Sequence, residues 1–197
     1  MDKQFFILIG RSGAGKGVQA KLLQSYLESQ GCKKVIHTTT GGGFREFIAQ
    51  DNYVASLARD CNEKGTLQPE FLAVWNWVNI FINSLSAEDS VILDGAPRKS
   101  FEVKVLHSAI TFFGFTKPIV IHLDVSEGTA RAHMVERSRA DDEAEGISMR
   151  LGWFETEVLP ALDLYINDPR YRVLHVNGNQ TIEEVHQELV EKLGALA

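Results

Sequence analysis

Seven residues near the amino end, Gly10, Arg11, Ser12, Gly13, Ala14, Gly15 and Lys16, have the types and spacing to hold a chain of phosphates. They fit the pattern GxxxxGK, in which small residues let backbone N–H groups turn inward around phosphate oxygens and the lysine adds a mobile cation. The loop lies between an apolar run, Phe5–Ile9, that reads as a strand and a segment carrying Val18, Leu22, Leu23, Tyr26 and Leu27 at helical spacing. A helix opening there presents the positive end of its dipole to the same anion. Gly17 stands where such loops usually carry the Ser or Thr that holds magnesium, so a metal at this site needs another support.

The formal charge of −6 gives no general attraction for nucleic acid, so an anionic ligand has to be held by local clusters of Lys and Arg. Three further segments supply them: TTTGGGFREF with Arg45, LDGAPRKSFE with Arg98, and RSRADDEAEGISMR with Arg137, Arg139 and Arg150. Arg139 and Arg150 are 11 residues apart, about three helical turns, and would share a face if both lie on one helix.

Five short apolar or β-branched runs can position these groups: Phe5–Ile9, Lys34–His37, Val91–Asp94, Ile119–Leu123 and Arg172–Val176. Helical patterns separate them, and that alternation predicts crossover units and a parallel five-stranded sheet in a three-layer α/β fold. At 197 residues the chain suits one domain, 1–197. The first helix is expected to stop at Gln30-Gly31. A later one, over 141–166, begins with the acids Asp141, Asp142, Glu143 and Glu145, and Pro160 is expected to kink or end it. Residues 38–86 show no convincing strand and read as a helical lobe, with Trp75, Trp77, Val78 and Phe81 as packing residues on one helical face.

Hydrophobic residues make up 44% and charged residues 23%, and no apolar run approaches the ~18 residues of a membrane span. The first apolar run belongs to the loop motif rather than to a leader, which predicts a cytoplasmic protein. Cys32 and Cys61 form no metal or disulfide pattern and read as reduced thiols. No additional apolar stripe asks for a partner, so a monomer is expected.

Beyond Lys16 the run GKGVQAKLL resembles the GKGTQ segment of adenylate kinases and related nucleoside monophosphate kinases, in which glycine after the lysine is normal. The resemblance spans nearly the whole chain. It implies a P-loop kinase fold with an acceptor-binding insertion, here 38–70, and a lid over the donor, here reduced to 137–141 with no room for a zinc-bearing cysteine cluster. It assigns ATP to Gly10, Ser12, Gly13, Ala14, Gly15, Lys16, Gly17 and Val18. Val18 departs from the usual Thr. His133 stands where the family often stacks an arginine on the donor adenine, and VNGNQTIEEV resembles the closing loop that holds that base, at Gly178 and Gln180.

TTTGGGFREF resembles the family's STGDxxR segment and assigns the acceptor phosphate to Thr40, Gly41 and Arg45; Gly42 replaces the usual acid, and the three glycines predict either a loosened hinge or a frayed helix start. KGTLQPEFL matches the loop over the acceptor base at Gly65, Leu67 and Gln68. LDGAPRKSFE resembles the LDGFPRxxxQ signature, which implies that Gly95 approaches the base, Arg98 clamps phosphate and Glu102 stands in for the base-reading Gln. An ionised carboxylate only accepts hydrogen bonds, which suits guanine, whereas the surrounding segments favour AMP; GMP, UMP and CMP stay open. Arg137, Arg139 and Arg150 are implied around the transferred group, Arg139 and Arg150 also reaching the acceptor. Magnesium, arriving with ATP, would be held by phosphates and by waters on Asp94 and Asp141. A small-metabolite kinase shares the loop but not the DGAPR and TGGGFR segments. A nucleotide sensor would have little use for arginines at both ends of the site.

Overall fold

A computed structural model describes residues 3–64, 66–137 and 144–196. Among them five strands, β1 (Phe5–Ile9), β2 (Val35–Thr39), β3 (Ser90–Asp94), β4 (Ile119–Asp124) and β5 (Arg172–Asn177), form one parallel sheet in the order β2-β3-β1-β4-β5. The side chains of β1 alternate between two buried faces, which is why its sequence is apolar without a break. Phe6 and Leu8 join a core with Leu23, Ile121, Val176 and Leu189. Phe5, Ile7 and Ile9 join another with Trp77, Phe81, Leu106, Val120 and Leu162. The first face is covered by α1 (Lys16–Ser29) and α9 (Ile182–Gly194), the second by α4 (Glu70–Ser84), α5 (Ser100–Phe112) and α8 (Leu159–Ile166).

β1 lies centrally, paired with β3 on one side and β4 on the other, so chain order reverses at its carboxyl end. Open α/β sheets bind ligands at such a switch point. The loop after β1 is pinned there. Arg11 pairs with Glu155 at 2.6 Å and lies over the Phe154 ring at 4.2 Å.

β2 runs two residues beyond the expected Lys34–His37, because the β-branched Thr38 and Thr39 continue the ladder opposite Leu93 and Asp94. Three helices follow before β3: α2 (Thr40–Ile48), α3 (Tyr53–Glu63) and α4. Phe44, Phe47, Ala55, Ala58, Leu72 and Ala73 give them a small core of their own. Of the expected packing residues, Trp77 and Phe81 are fully buried and Val78 packs at the edge of the core. Trp75 is instead 42% exposed and meets Phe47, with Phe71 and Ile82 also exposed on α4.

The triple glycine lies within α2 rather than in a frayed start, and packing accounts for one of its members. Asn76 of α4 donates its side-chain N–H to Thr40 O at 2.9 Å, and a Cβ on Gly43 would stand 2.1 Å from Asn76 Oδ1. Thr39 meanwhile caps α2 by accepting from Gly42 N. Gly43→Ala is therefore expected to lower stability by about 1–3 kcal/mol through overpacking. A denaturant midpoint equal to that of the wild type would refute this close fit.

The region expected as one helix over 141–166 is divided. α7 (Ala144–Trp153) leads into a π-helical turn, Phe154–Val158, and then α8. Pro160 sits in the first turn of α8, where its missing N–H needs no partner, and the widened turn absorbs the break in the ladder. α6 (Glu127–Arg137) precedes the undescribed stretch. No helix among the described residues is long and apolar enough to cross a membrane.

Candidate active site

A cleft of about 970 Å³ opens at the carboxyl edge of the sheet, large enough for two nucleotides' worth of polar contacts in one depression. One wall is the loop after β1. Gly13 must lack a side chain: at φ 84° its Cβ would meet Ala130 O of α6 at 2.3 Å. α1 opens with Gly15 as a left-handed cap and no side-chain hydrogen bond, leaving its first N–H groups to a ligand. Lys16 Nζ folds back to donate to Gly10 O at 2.8 Å and Arg11 O at 2.7 Å. Burial pushes this lysine down to about 8; Arg98 and Arg137 add to that effect and Asp94 opposes it.

Lys16, Asp94, Arg98 and Arg137 share the lining of the cleft. β3 ends at Asp94, in register with Leu8 and Thr39, and Asp94 is 9% exposed. Gly95 turns the chain, and Arg98 Nε donates to Gly95 O at 3.0 Å. Burial lowers the pKa of Arg98, Glu102 and Asp94 raise it, and Arg150 lowers it. Asp94 and Arg98 form no ion pair with each other, so the guanidinium is not consumed in a purely structural contact. Arg150 reaches the cleft from α7, its Nε on Gly146 O at 3.2 Å, and Arg137 from the end of α6. Arg45 folds over the start of α2, its Nη1 3.3 Å from where a Gly41 Cβ would lie.

Every described residue assigned to the site by sequence lines this cleft except Gly10, which lies behind the loop. Ser12, Ala14, Gly17, Val18 and His133 sit at the loop end, with His133 Nδ1 3.0 Å from Gly13 O. Gly178 and Gln180 are beside them. The Gln180 amide donates to Asn177 O and Glu188. Thr40, Gly41, Leu67, Gln68, Gly95 and Glu102 line the other end; the Thr40 hydroxyl donates to Asp94 O at 3.4 Å. Gly65, Arg139, Asp141 and Asp142, and with them the expected lid at 137–141 beyond Arg137, lie outside the described residues. Sequence reasoning passed over Gln19, His37, Asn62 and Trp153, which also line the cleft. No motif marks His37, Asn62 or Trp153, and Gln19 was readable only as a neighbour of the loop.

Glu102 is 3% exposed in the first turn of α5. Burial pushes its carboxyl above its ordinary value of 4.5, opposed by the Arg98 backbone N–H, the Arg98 guanidinium and Lys99. A carboxyl with a raised folded-state pKa stabilises the protein below the unfolded value and loses that contribution as pH rises through the folded value. Glu102→Gln is therefore expected to raise the melting temperature at pH 7 to 8, with the gain vanishing as pH falls toward 4. A gain that grows on acidification would show that Arg98 outweighs burial.

Gly17 lies beside a carboxylate. A Cβ at position 17 would lie 3.4 Å from Asp94 Oδ2, an ordinary contact distance, so Gly17 stands directly beside this carboxylate. Magnesium binds through one or two carboxylates, phosphates and several retained waters. Asp94 beside the lysine fits that mode. Among the described residues no group of three His, Cys, Asp or Glu could cage a metal unaided.

Comparison with known proteins agrees with this geometry. The family model described as adenylate kinase matches residues 8–169. Adenylate kinase 1 of Nostoc sp. is 31% identical over 189 residues, covering 96% of this chain and 98% of that protein. The adenylate kinases of Corynebacterium aurimucosum and Corynebacterium glutamicum (strain R) are each 29% identical, covering 96% and 95% of this chain and 98% of their own lengths. A parallel sheet with a glycine cradle at its switch point and cations on both sides of the cleft defines a P-loop phosphotransferase. The chain belongs to the adenylate kinase family.

Proposed function

We propose that this chain catalyses ATP + AMP ⇌ 2 ADP, with residues 38–70 as the acceptor lobe and 137–141 as a short lid. The observation that carries this reading is the convergence of Lys16, Arg98, Arg137 and Arg150, from separate parts of the chain, on the lining of one cleft. The loop and Lys16 hold the donor phosphates. Arg45 and Arg98 hold the acceptor phosphate, and Arg137 and Arg150, with Arg139, surround the group in transit.

An oxygen of the AMP phosphate attacks the γ-phosphorus of ATP, a new P–O bond forms, and the bond to the β-phosphate oxygen breaks to release ADP. The protein brings two anions into line, excludes water and neutralises the charge that spreads over the moving group. No general base is needed, because a phosphate monoester is already anionic near neutral pH. Magnesium accompanying ATP would be held by the phosphates and by waters on Asp94 and Asp141, and would supply charge neutralisation. The protein acts in the cytoplasm as a monomer in this reading. An assay of ADP formed from ATP with AMP, GMP, UMP and CMP tests it. AMP is expected to be the fastest acceptor, and silence with all four alongside ATP binding would indicate a nucleotide sensor.

A further inference from the structure

Gln68 carries a buried polar atom that the protein itself leaves unused. The loop between α3 and α4 folds back on the last turn of α3: Thr66 N donates to Cys61 O at 2.9 Å, and Gln68 Nε2 donates to Ala58 O at 2.8 Å and Asn62 Oδ1 at 2.9 Å. Because a backbone carbonyl only accepts, these contacts fix which end of the amide is nitrogen. The opposite atom, Oε1, is buried without a hydrogen-bond partner among the described residues, on a residue 9% exposed that lines the cleft. An orphaned buried acceptor carries an unrecovered desolvation penalty, which a ligand N–H would recover.

The place of Gln68 in the cleft indicates which part of a ligand meets it. Lys99 and Glu70 approach to 3.7 Å, tying the start of α4, two residues after Gln68, to the start of α5, where Glu102 sits. Gln68 and Glu102 thus belong to the same end of the cleft, away from the glycine cradle. Resting on the reading of this end as the acceptor subsite, we infer that Gln68 is a specificity-determining residue whose side-chain oxygen accepts a hydrogen bond from the exocyclic amino group of the acceptor base. Asn62 is its positioning residue: its Oδ1 takes one Nε2 hydrogen and so fixes which end of the amide is oxygen. A 6-amino base satisfies this oxygen. A 6-oxo base sets two acceptors against each other, and a base with hydrogen at that carbon leaves the oxygen orphaned.

The test compares AMP with purine riboside 5′-monophosphate, which lacks only the amino group, and with IMP, in the full-length protein and in Gln68→Met. Wild-type kcat/KM, and calorimetric affinity measured alongside it, is expected to favour AMP over both analogues by about 10- to 100-fold. Gln68→Met is expected to bring the analogues to within about threefold of AMP while KM for ATP stays unchanged, and Asn62→Ala to lose part of the preference. Equal handling of AMP and purine riboside monophosphate by the wild type would overturn the inference without any variant. So would a Gln68→Met protein that keeps the full preference. If the wild type turns over no monophosphate, the proposed reaction fails, and the calorimetric comparison still decides the role of Gln68.

Discussion

Arg98→Ala is expected to lower kcat for the ATP and AMP reaction by about 10³-fold, the scale on which arginines that neutralise a phosphoryl group in transit act. Its Nε is committed to Gly95 O, so the side chain is anchored at the cleft that Lys16 and Arg150 also line. Burial already works against its charge, so removing it relieves repulsion as well as deleting contacts, and the melting temperature should remain near the wild-type value. Arg98→Lys should not restore turnover, because a point charge lacks the two-pronged geometry. Near-normal activity in Arg98→Ala, measured with both substrates saturating, would remove Arg98 from the reaction.

Lys16→Met is expected to reduce kcat/KM for ATP by about 10³-fold or more while raising the melting temperature at pH 7. The lysine is half-buried, turned onto Gly10 O and Arg11 O, and pushed down to about 8 from 10.5. A lysine whose folded-state pKa is lowered charges at a cost to the fold below pH 8, and that cost recedes as pH rises toward 10.5. The stability gain of the methionine variant should follow the same course. In the wild-type enzyme kcat/KM for ATP should fall above about pH 8, because the free protein loses the cation that greets the phosphates. With ATP bound, the phosphates favour the proton, and kcat should break at higher pH. A flat kcat/KM profile from pH 7 to 10 would contradict the role given to Lys16.

How much of this was legible beforehand follows from the range of the forces involved. The strands are readable because β1, β3 and β4 are buried on both faces, which makes β1 apolar throughout and gives β3 and β4 continuous apolar centres. The end of β2 is less so: Thr38 and Thr39 look like loop chemistry until β3 is placed beside them. Lys16, Arg45 and Arg98 sit in local motifs and are visible as such. Gly43 and Gln68 are different, since each is explained by tertiary neighbours or by an atom's lack of a partner: Asn76 packs onto Gly43, and Gln68 is turned by Ala58 and Asn62. Such contacts depend on tertiary packing, which no local pattern encodes. The π turn before Pro160 is intermediate, because proline announces a break without saying how the backbone accommodates it.

A crystal structure with two adenosines joined by five phosphates would examine the shared cleft directly. One molecule per chain should span it, with its phosphates in contact with Lys16, Arg98, Arg137 and Arg150 and its adenines at the Gly178 and Gln68 ends. If the guanidinium groups instead turn away from the phosphates, or if only one adenosine enters the cleft, the cations do not serve a joint transfer site and the proposed reaction is wrong.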